Sequence, residues 1–454
     1  MSGRSRGLFS GCVFESNRRE RRMKVTEKRK NRKISAGTIF MIACALVVLG
    51  AAFFAMDRLS SVSVIDQNPA GKVSGKPDAS RKPEESGEKA EPAAEEERER
   101  KNTALPQDTI TPPDRNSFTF TVLGTTALTG EVRTNSYYSD VKQYDYYDIL
   151  TLLRPQLKTD LNIVFLENIL STDGKKSDTL STGAAAAMLN AAGIRMAACG
   201  FSKAYEKSGD GIVSTKTILG EYGIQTLGIC EKEASDQVQI REINGVKAAF
   251  LQYTDTIPET TRKKMKQQES TYMIPPADPD LIASDIQRAR EMGSETVIVL
   301  VQWGKTGKAP DKNQHDLAQK VADAGADLII GCGSRIVSGG ELLTAKDTGR
   351  NVMCIWSLGT TLSGDRGNIK RIAGMMLHVT VEVKKGNAPS VRCTYTPLYT
   401  WKYKMDGRYY YRCLPANGAI PDGMDAEQQK MMKKAAETVR SAMKDTSVEE
   451  EEVE

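Results

Sequence analysis

Apolar residues along this chain fall into short runs separated by stretches with helical spacing, and the alternation begins at Phe118. Phe118–Gly124, Asn162–Leu166, Ile194–Cys199, Ile224–Ile229, Thr296–Val301, Asp327–Gly331 and Val352–Ser357 are bounded apolar runs of strand length. Between them, Asp145–Leu157, Ser181–Ala192, Gly211–Tyr222, Pro279–Met292 and Pro310–Ala324 read as helices. Strands alternating with helices predict a layered α/β architecture. Val238–Ile243 and Val246–Tyr253 flank Asn244-Gly245, a pair suited to the left-handed backbone of a two-residue hairpin turn, so part of the sheet is antiparallel. Met375–Val383 alternates and predicts a second antiparallel section. Beyond it, Ser390–Cys413 is rich in Tyr and Thr and predicts an appended β region at 387–423. A terminal helix over Met424–Met443 and a solvated acidic tail, Glu449–Glu454, complete 424–454.

Before Phe118 the pattern is of another kind. Ile34–Met56 is a run of 23 residues without a charge. As a helix it spans about 35 Å, enough to cross a hydrocarbon core of about 30 Å. Residues 1–33 hold twelve Lys and Arg against three Glu, which is +9 and leaves −4 for the rest of a chain whose total is +5. The basic end therefore reads as a topology signal rather than a nucleic-acid arm: a cytoplasmic tail at 1–33, a single-pass transmembrane anchor at 34–56, and everything later outside the cell membrane. Residues 57–116 contain seven prolines, mixed charge and almost no large apolar side chains. Such a stretch buries too little to offset its ordering entropy and predicts a disordered tether.

In layered α/β folds, chemistry gathers on loops just past the carboxyl ends of strands. Six corners stand there: Gly124-Thr125-Thr126, Phe165-Leu166-Glu167-Asn168, Gly200-Phe201-Ser202-Lys203, Gln302-Trp303-Gly304, Gly331-Cys332-Gly333-Ser334-Arg335 and Ser357-Leu358-Gly359-Thr360. At these corners the chain resembles the CapA (PgsA) capsule-synthesis proteins, membrane-anchored relatives of calcineurin-like metallophosphoesterases associated with poly-γ-glutamate capsule assembly. The resemblance covers 117–386 and rests on spacing. The strand into Gly124-Thr125 stands where the family has Gly-Asp. Leu166-Glu167, the helix from Gly211 to Gly223-Ile224, the hairpin Asn244–Thr254, Trp303-Gly304, Glu341 and Ser357-Leu358-Gly359 keep the family's order. It implies a metallo-dependent-phosphatase-like α-β-β-α sandwich with mixed sheets, preceded by one transmembrane helix.

The cation-holding side chains do not follow. Where the family has Asp, Asn and two motif histidines, this chain has Thr125, Phe165, Lys203 and Gln302; where it has three further imidazoles, this chain has Cys332, Gly333 and Arg335. The chain has two histidines in all. His315 falls on a predicted helix and His378 inside a predicted strand, which suits structural roles. A binuclear hydrolase needs several oxygen or nitrogen donors for each cation, so the expectation is a pseudoenzyme with no metal, no cofactor and no catalytic residue. If the fold is kept, Thr125, Glu167, Ser202, Lys203, Gln302, Trp303, Ser334, Arg335, Glu341 and Thr360 line the altered pocket. Lys203 and Arg335 then either grip an anion, such as poly-γ-glutamate or a teichoic-acid phosphate, or merely pair with Glu167 and Glu341.

Six cysteines follow the anchor, none with CxxC spacing, so zinc-ribbon and thioredoxin readings fail. Cys393 and Cys413 flank a predicted hairpin and are the disulfide candidate; Cys332 has no nearby motif base. Three functional readings remain open: a non-catalytic, membrane-anchored protein binding an anionic polymer or a partner in capsule assembly; an active hydrolase with a rearranged site; and a structural partner of capsule-synthesis membrane proteins.

Overall fold

The computed structural model describes residues 116–171, 180–232, 237–384 and 386–453. The predicted tail at 1–33, the anchor at 34–56 and the tether up to residue 115 lie outside the described residues. Among the described residues no helix is long and apolar enough to cross a membrane.

Two sheets form the centre. The larger has nine strands, seven of them in the order Arg408–Pro415, Ser390–Met405, Ala373–Glu382, Ser117–Thr126, Leu161–Leu166, Met196–Ala198 and Gln225–Leu227. Thr360–Leu362 adds beside Ser117–Thr126, and Glu449–Glu450 beside Ser390–Met405. The second sheet runs Gly340–Thr344, Asn351–Ile355, Leu328–Cys332, Thr296–Gln302, Val246–Thr254, Gln239–Ile243. Alternation along each strand divides its side chains between two cores. Ile298 and Leu300 enter the core between the sheets with Phe118, Phe120 and Phe250. Val297, Val299 and Val301 face the other way, onto Ile282, Ile286, Ala318 and Val321 of the helices Pro279–Glu291 and Lys312–Asp323. Helices Gly183–Ala191 and Ser208–Glu221 cover the outer face of the larger sheet. The layering is therefore helix, sheet, sheet, helix, as a mixed α/β sandwich requires. Phe120 and Phe250 meet edge-to-face at 5.6 Å across the central core.

Local chemistry sets the element ends. Asp278 caps its helix by accepting from the Asp280 and Leu281 N–H groups at 3.0 and 3.1 Å, with Pro279 in the first turn. Asp311 and Gln314 form a reciprocal capping box. Asn244 and Gly245 hold φ of 51° and 82°, the paired left-handed conformation of a type I′ hairpin. The helix expected over Asp145–Leu157 is instead a 3-10 helix, Tyr147–Gln156, containing Pro155, which has no N–H to donate.

Three expectations change. The β region at 387–423 is continuous with the larger sheet, because Ala373–Glu382 pairs with Ser117–Thr126 on one side and Ser390–Met405 on the other. Cys393 and Cys413 are free thiols. Cys413 lies opposite Thr400, seven residues along the strand from Cys393, or about 23 Å at the usual rise, far beyond the span of a disulfide. Glu449–Glu451 is not simply solvated: Glu450 is bonded bidentately by Arg440 at 2.7 Å, and Glu451 accepts from the Thr394 hydroxyl.

Candidate functional site

The carboxyl ends of strands from both sheets converge on one glutamate. Glu167 follows Leu161–Leu166 and is buried. Its Oε1 accepts from the Thr125 hydroxyl and from Gln302 Nε2, each at 3.1 Å. Its Oε2 accepts from the Arg335 guanidinium. Thr125 Oγ1 also lies 3.2 Å from Cys332 Sγ. Thr125 and Glu167 belong to the larger sheet; Gln302, Cys332 and Arg335 end or follow strands of the smaller one. Sequence order scatters these five residues across 211 positions, and the parallel strands bring them together.

Backbone geometry fixes the fifth corner. Gly333 holds φ of 119°, and a Cβ there would stand 2.6 Å from the Trp303 carbonyl oxygen. Arg335 itself adopts a left-handed φ of 60°, uncommon for a long side chain. The buried Thr360 hydroxyl holds that conformation by donating to the Arg335 carbonyl at 3.1 Å. Ser334 turns its hydroxyl back onto the Ile336 carbonyl at 3.1 Å, and Trp303 Nε1 donates to the Trp356 carbonyl at 2.9 Å. Thr360, Ser334 and Trp303 thus shape the corner through main-chain contacts rather than presenting a free group.

Two predicted members stand apart. Lys203 is exposed and makes no ion pair among the described residues, and no side-chain hydrogen bond is seen for Ser202. Glu341 lies on the strand Gly340–Thr344 at the end of the smaller sheet, half-exposed, with its carboxylate 3.3 Å from His315. The pairing expected of it with Lys203 or Arg335 is not made, because the chain turns after Arg335 onto that edge strand. Arg335 pairs with Glu167. Cys332 and Asn168 are the members that spacing under-read: Asn168 Oδ1 accepts from the Leu128 N–H at 2.8 Å and ties the second corner to the first. Their signal was position, since each sits within a corner.

The donor set decides the chemistry. Burial pushes the Cys332 thiol up to about 12, with the Glu167 charge adding to the shift, so it stays protonated. Glu167 spends both oxygens on Thr125, Gln302 and a cation. Among the described residues no group of three or more His, Cys, Asp or Glu is placed to hold a metal ion. The pair of metals that the sequence resemblance implies does not fit the Glu167 cluster: a guanidinium is bonded to its carboxylate, and its charge repels a cation.

A family model described as bacterial capsule synthesis protein PGA_cap matches residues 119–365. The PGA biosynthesis protein CapA of Bacillus subtilis is 31% identical over 127 residues, 27% of this chain and 32% of that protein. The capsule biosynthesis protein CapA of Bacillus anthracis is 30% identical over 95 residues, 20% of this chain and 22% of that protein. The matches thus span a third or less of these relatives' length. The solved structure of the calcineurin-like phosphoesterase YfkN from Bacillus subtilis aligns over 71% of this chain and 99% of its own, at 13% identity and a TM-score of 0.37.

Proposed function

This chain belongs to the bacterial capsule synthesis protein PGA_cap family, and from that premise we propose that it serves capsule assembly without hydrolysing phosphoesters. In this reading it is a pseudoenzyme, held in the membrane by residues 34–56 with the folded unit outside. It handles an anionic envelope polymer such as poly-γ-glutamate. The observation that carries the reading is the Glu167 cluster, in which an arginine occupies the carboxylate that a metal would need. Arg335 keeps 26% of its side chain exposed, and Lys203 stands exposed on a neighbouring corner loop. An approaching carboxylate would meet both cations.

The test uses the full chain in detergent, incubated with manganese, iron or zinc and then freed of excess ion. Elemental analysis is expected to find less than stoichiometric metal, and bis-p-nitrophenyl phosphate hydrolysis no higher than the blank. One or more tightly held ions per chain, with turnover abolished by Glu167→Ala, overturns the proposal.

A further inference from the structure

The strand Ser390–Met405 is covered unevenly by its neighbours. Ala373–Glu382 pairs with it from Ser390 to Tyr399, whereas on the other side Arg408–Pro415 begins to pair only at Leu398. Residues 390–397 therefore form an edge, and an edge is a template for any extended chain. Glu449–Glu450 lies along it in parallel, with Thr394 opposite Glu449 and Tyr395 opposite Glu450. The Glu451 N–H donates to the Tyr395 carbonyl at 2.8 Å.

Four separate parts of the chain build the seat. The helix Ala426–Met443 contributes Arg440, whose Nε and Nη2 each reach Glu450 at 2.7 Å. Asn417, two residues past Arg408–Pro415, donates from Nδ2 to Glu450 Oε1 and to the Glu451 carbonyl, both at 2.9 Å. The edge strand adds the Tyr395 hydroxyl, 3.4 Å from Glu450, and the Thr394 hydroxyl, which donates to Glu451. His378, opposite Thr394 in register, holds Nε2 3.6 Å from Glu451. A guanidinium fork and neutral donors thus serve two successive carboxylates. Glu449 is exposed. One buried acceptor of the seat, Asn417 Oδ1, has no hydrogen-bond partner among the described residues while the tail is in place.

We propose that this edge is a receiving site for an extended acidic segment of a partner protein, and that the chain's own tail is its competitor. The segment is an α-peptide with two successive carboxylates between neutral flanks. Strand addition supplies main-chain bonds whatever the sequence, and the side-chain readers supply specificity; here those readers are the Arg440 fork, Asn417 and the Thr394 hydroxyl. The ladder needs an N–H and a C=O at the rise of an α-peptide, about 3.3 Å per residue. A γ-linked glutamate polymer has more backbone atoms per residue, so its carboxylates come without a matching ladder. The tail is joined to the helix by the short stretch 444–448, which gives it an effective concentration of about a millimolar or more. Its composition works against it: five of residues 449–454 are Glu, and neighbouring like charges repel. A partner with neutral flanks keeps the two carboxylates that are read and avoids that repulsion. The inference stands apart from the reading of the Glu167 cluster and uses none of its residues.

Fluorescence anisotropy of a labelled synthetic peptide against the full chain in detergent tests it. The peptide carries the sequence of residues 446–453 with Glu449→Thr and Glu452→Thr. The chain with Glu450→Ala and Glu451→Ala, whose own tail has lost its grip, is expected to bind it about tenfold tighter than wild type does. Adding Arg440→Ala to that variant is expected to weaken binding about tenfold. Glu450→Gln alone, which keeps the tail's shape, is expected to give a smaller gain of about threefold over wild type. Unlabelled peptide should displace the probe, and poly-γ-glutamate should do so far less well. Absence of peptide binding to both tail variants overturns the proposal, as does binding that Arg440→Ala leaves unchanged. So does displacement by poly-γ-glutamate equal to that by the peptide, which would make the edge a reader of charge alone.

Discussion

Glu167 and Glu341 both fall at corners of the same inherited spacing, yet they occupy opposite environments. Glu167 is buried, accepts three hydrogen bonds and neutralises a guanidinium. Glu341 sits half in water on an edge strand, with a half-exposed histidine for company. The difference is one of strand position. Glu167 follows an interior strand, enclosed by the ends of two sheets. Glu341 comes after a turn that carries the chain to the rim. A carboxylate therefore becomes part of the central cluster only where the topology encloses it, whatever its distance in sequence from a motif.

The largest effect expected from this contrast is at Glu167. Glu167→Ala leaves Arg335 without its carboxylate and removes the acceptor for Thr125 and Gln302. Stripping one partner from a mostly buried pair costs about 2–4 kcal/mol. Thermal and urea unfolding should show the loss, and Glu167→Ala combined with Arg335→Met should recover part of it. Equal stability of Glu167→Ala and wild type would mean that the cluster is not closed.

How far the sequence carried these conclusions depends on range. The layered α/β class, the Asn244-Gly245 hairpin and the helices begun by Asp278 and Asp311 were legible because each rests on local alternation, turn chemistry or capping. The Glu167 cluster was half legible: position at strand ends identified Thr125, Gln302 and Arg335, and the choice of Glu167 over Glu341 for Arg335 needed the tertiary path. Cys393 and Cys413 misled because flanking a hairpin says nothing about register, and register sets them far apart. The acidic tail was read as solvated because local composition cannot reveal Arg440, Asn417 and Thr394 waiting to bind it.

A third acid–base pair lies between the two extremes and has a smaller, pH-dependent effect. His378 is buried between the Thr121 and Thr396 hydroxyls, at 3.1 and 3.0 Å, with Glu451 of the docked tail 3.6 Å away. Burial holds its imidazole below the ordinary 6.5, and the Glu451 charge offsets part of that. In the unfolded chain the ring takes a proton as pH falls through 6.5, whereas the folded ring resists it. Stability from this residue is therefore complete above that pH and falls as pH drops toward the lower folded value. The loss cannot exceed about 1.4 kcal/mol per pH unit. Urea unfolding at pH 7.5 and 5.5 should show wild type losing more than His378→Gln. Parallel losses would remove His378 from the account.

The smallest effect belongs to Glu341, and it completes the contrast. Its partner His315 packs against Trp356, with ring centroids 4.2 Å apart, so that ring is held in place whether or not the carboxylate is present. Both members of the pair are nearly half-exposed, at 45% and 48%, so water already solvates each and screens the charge. Exposed pairs of this kind contribute at most about 1 kcal/mol. Glu341→Ala should thus leave the unfolding midpoint within that margin. It should also leave poly-γ-glutamate binding unchanged, because Arg335 pairs elsewhere. A loss comparable to that of Glu167→Ala would place Glu341 in the cluster after all, and would mean that the edge strand closes over the site in solution.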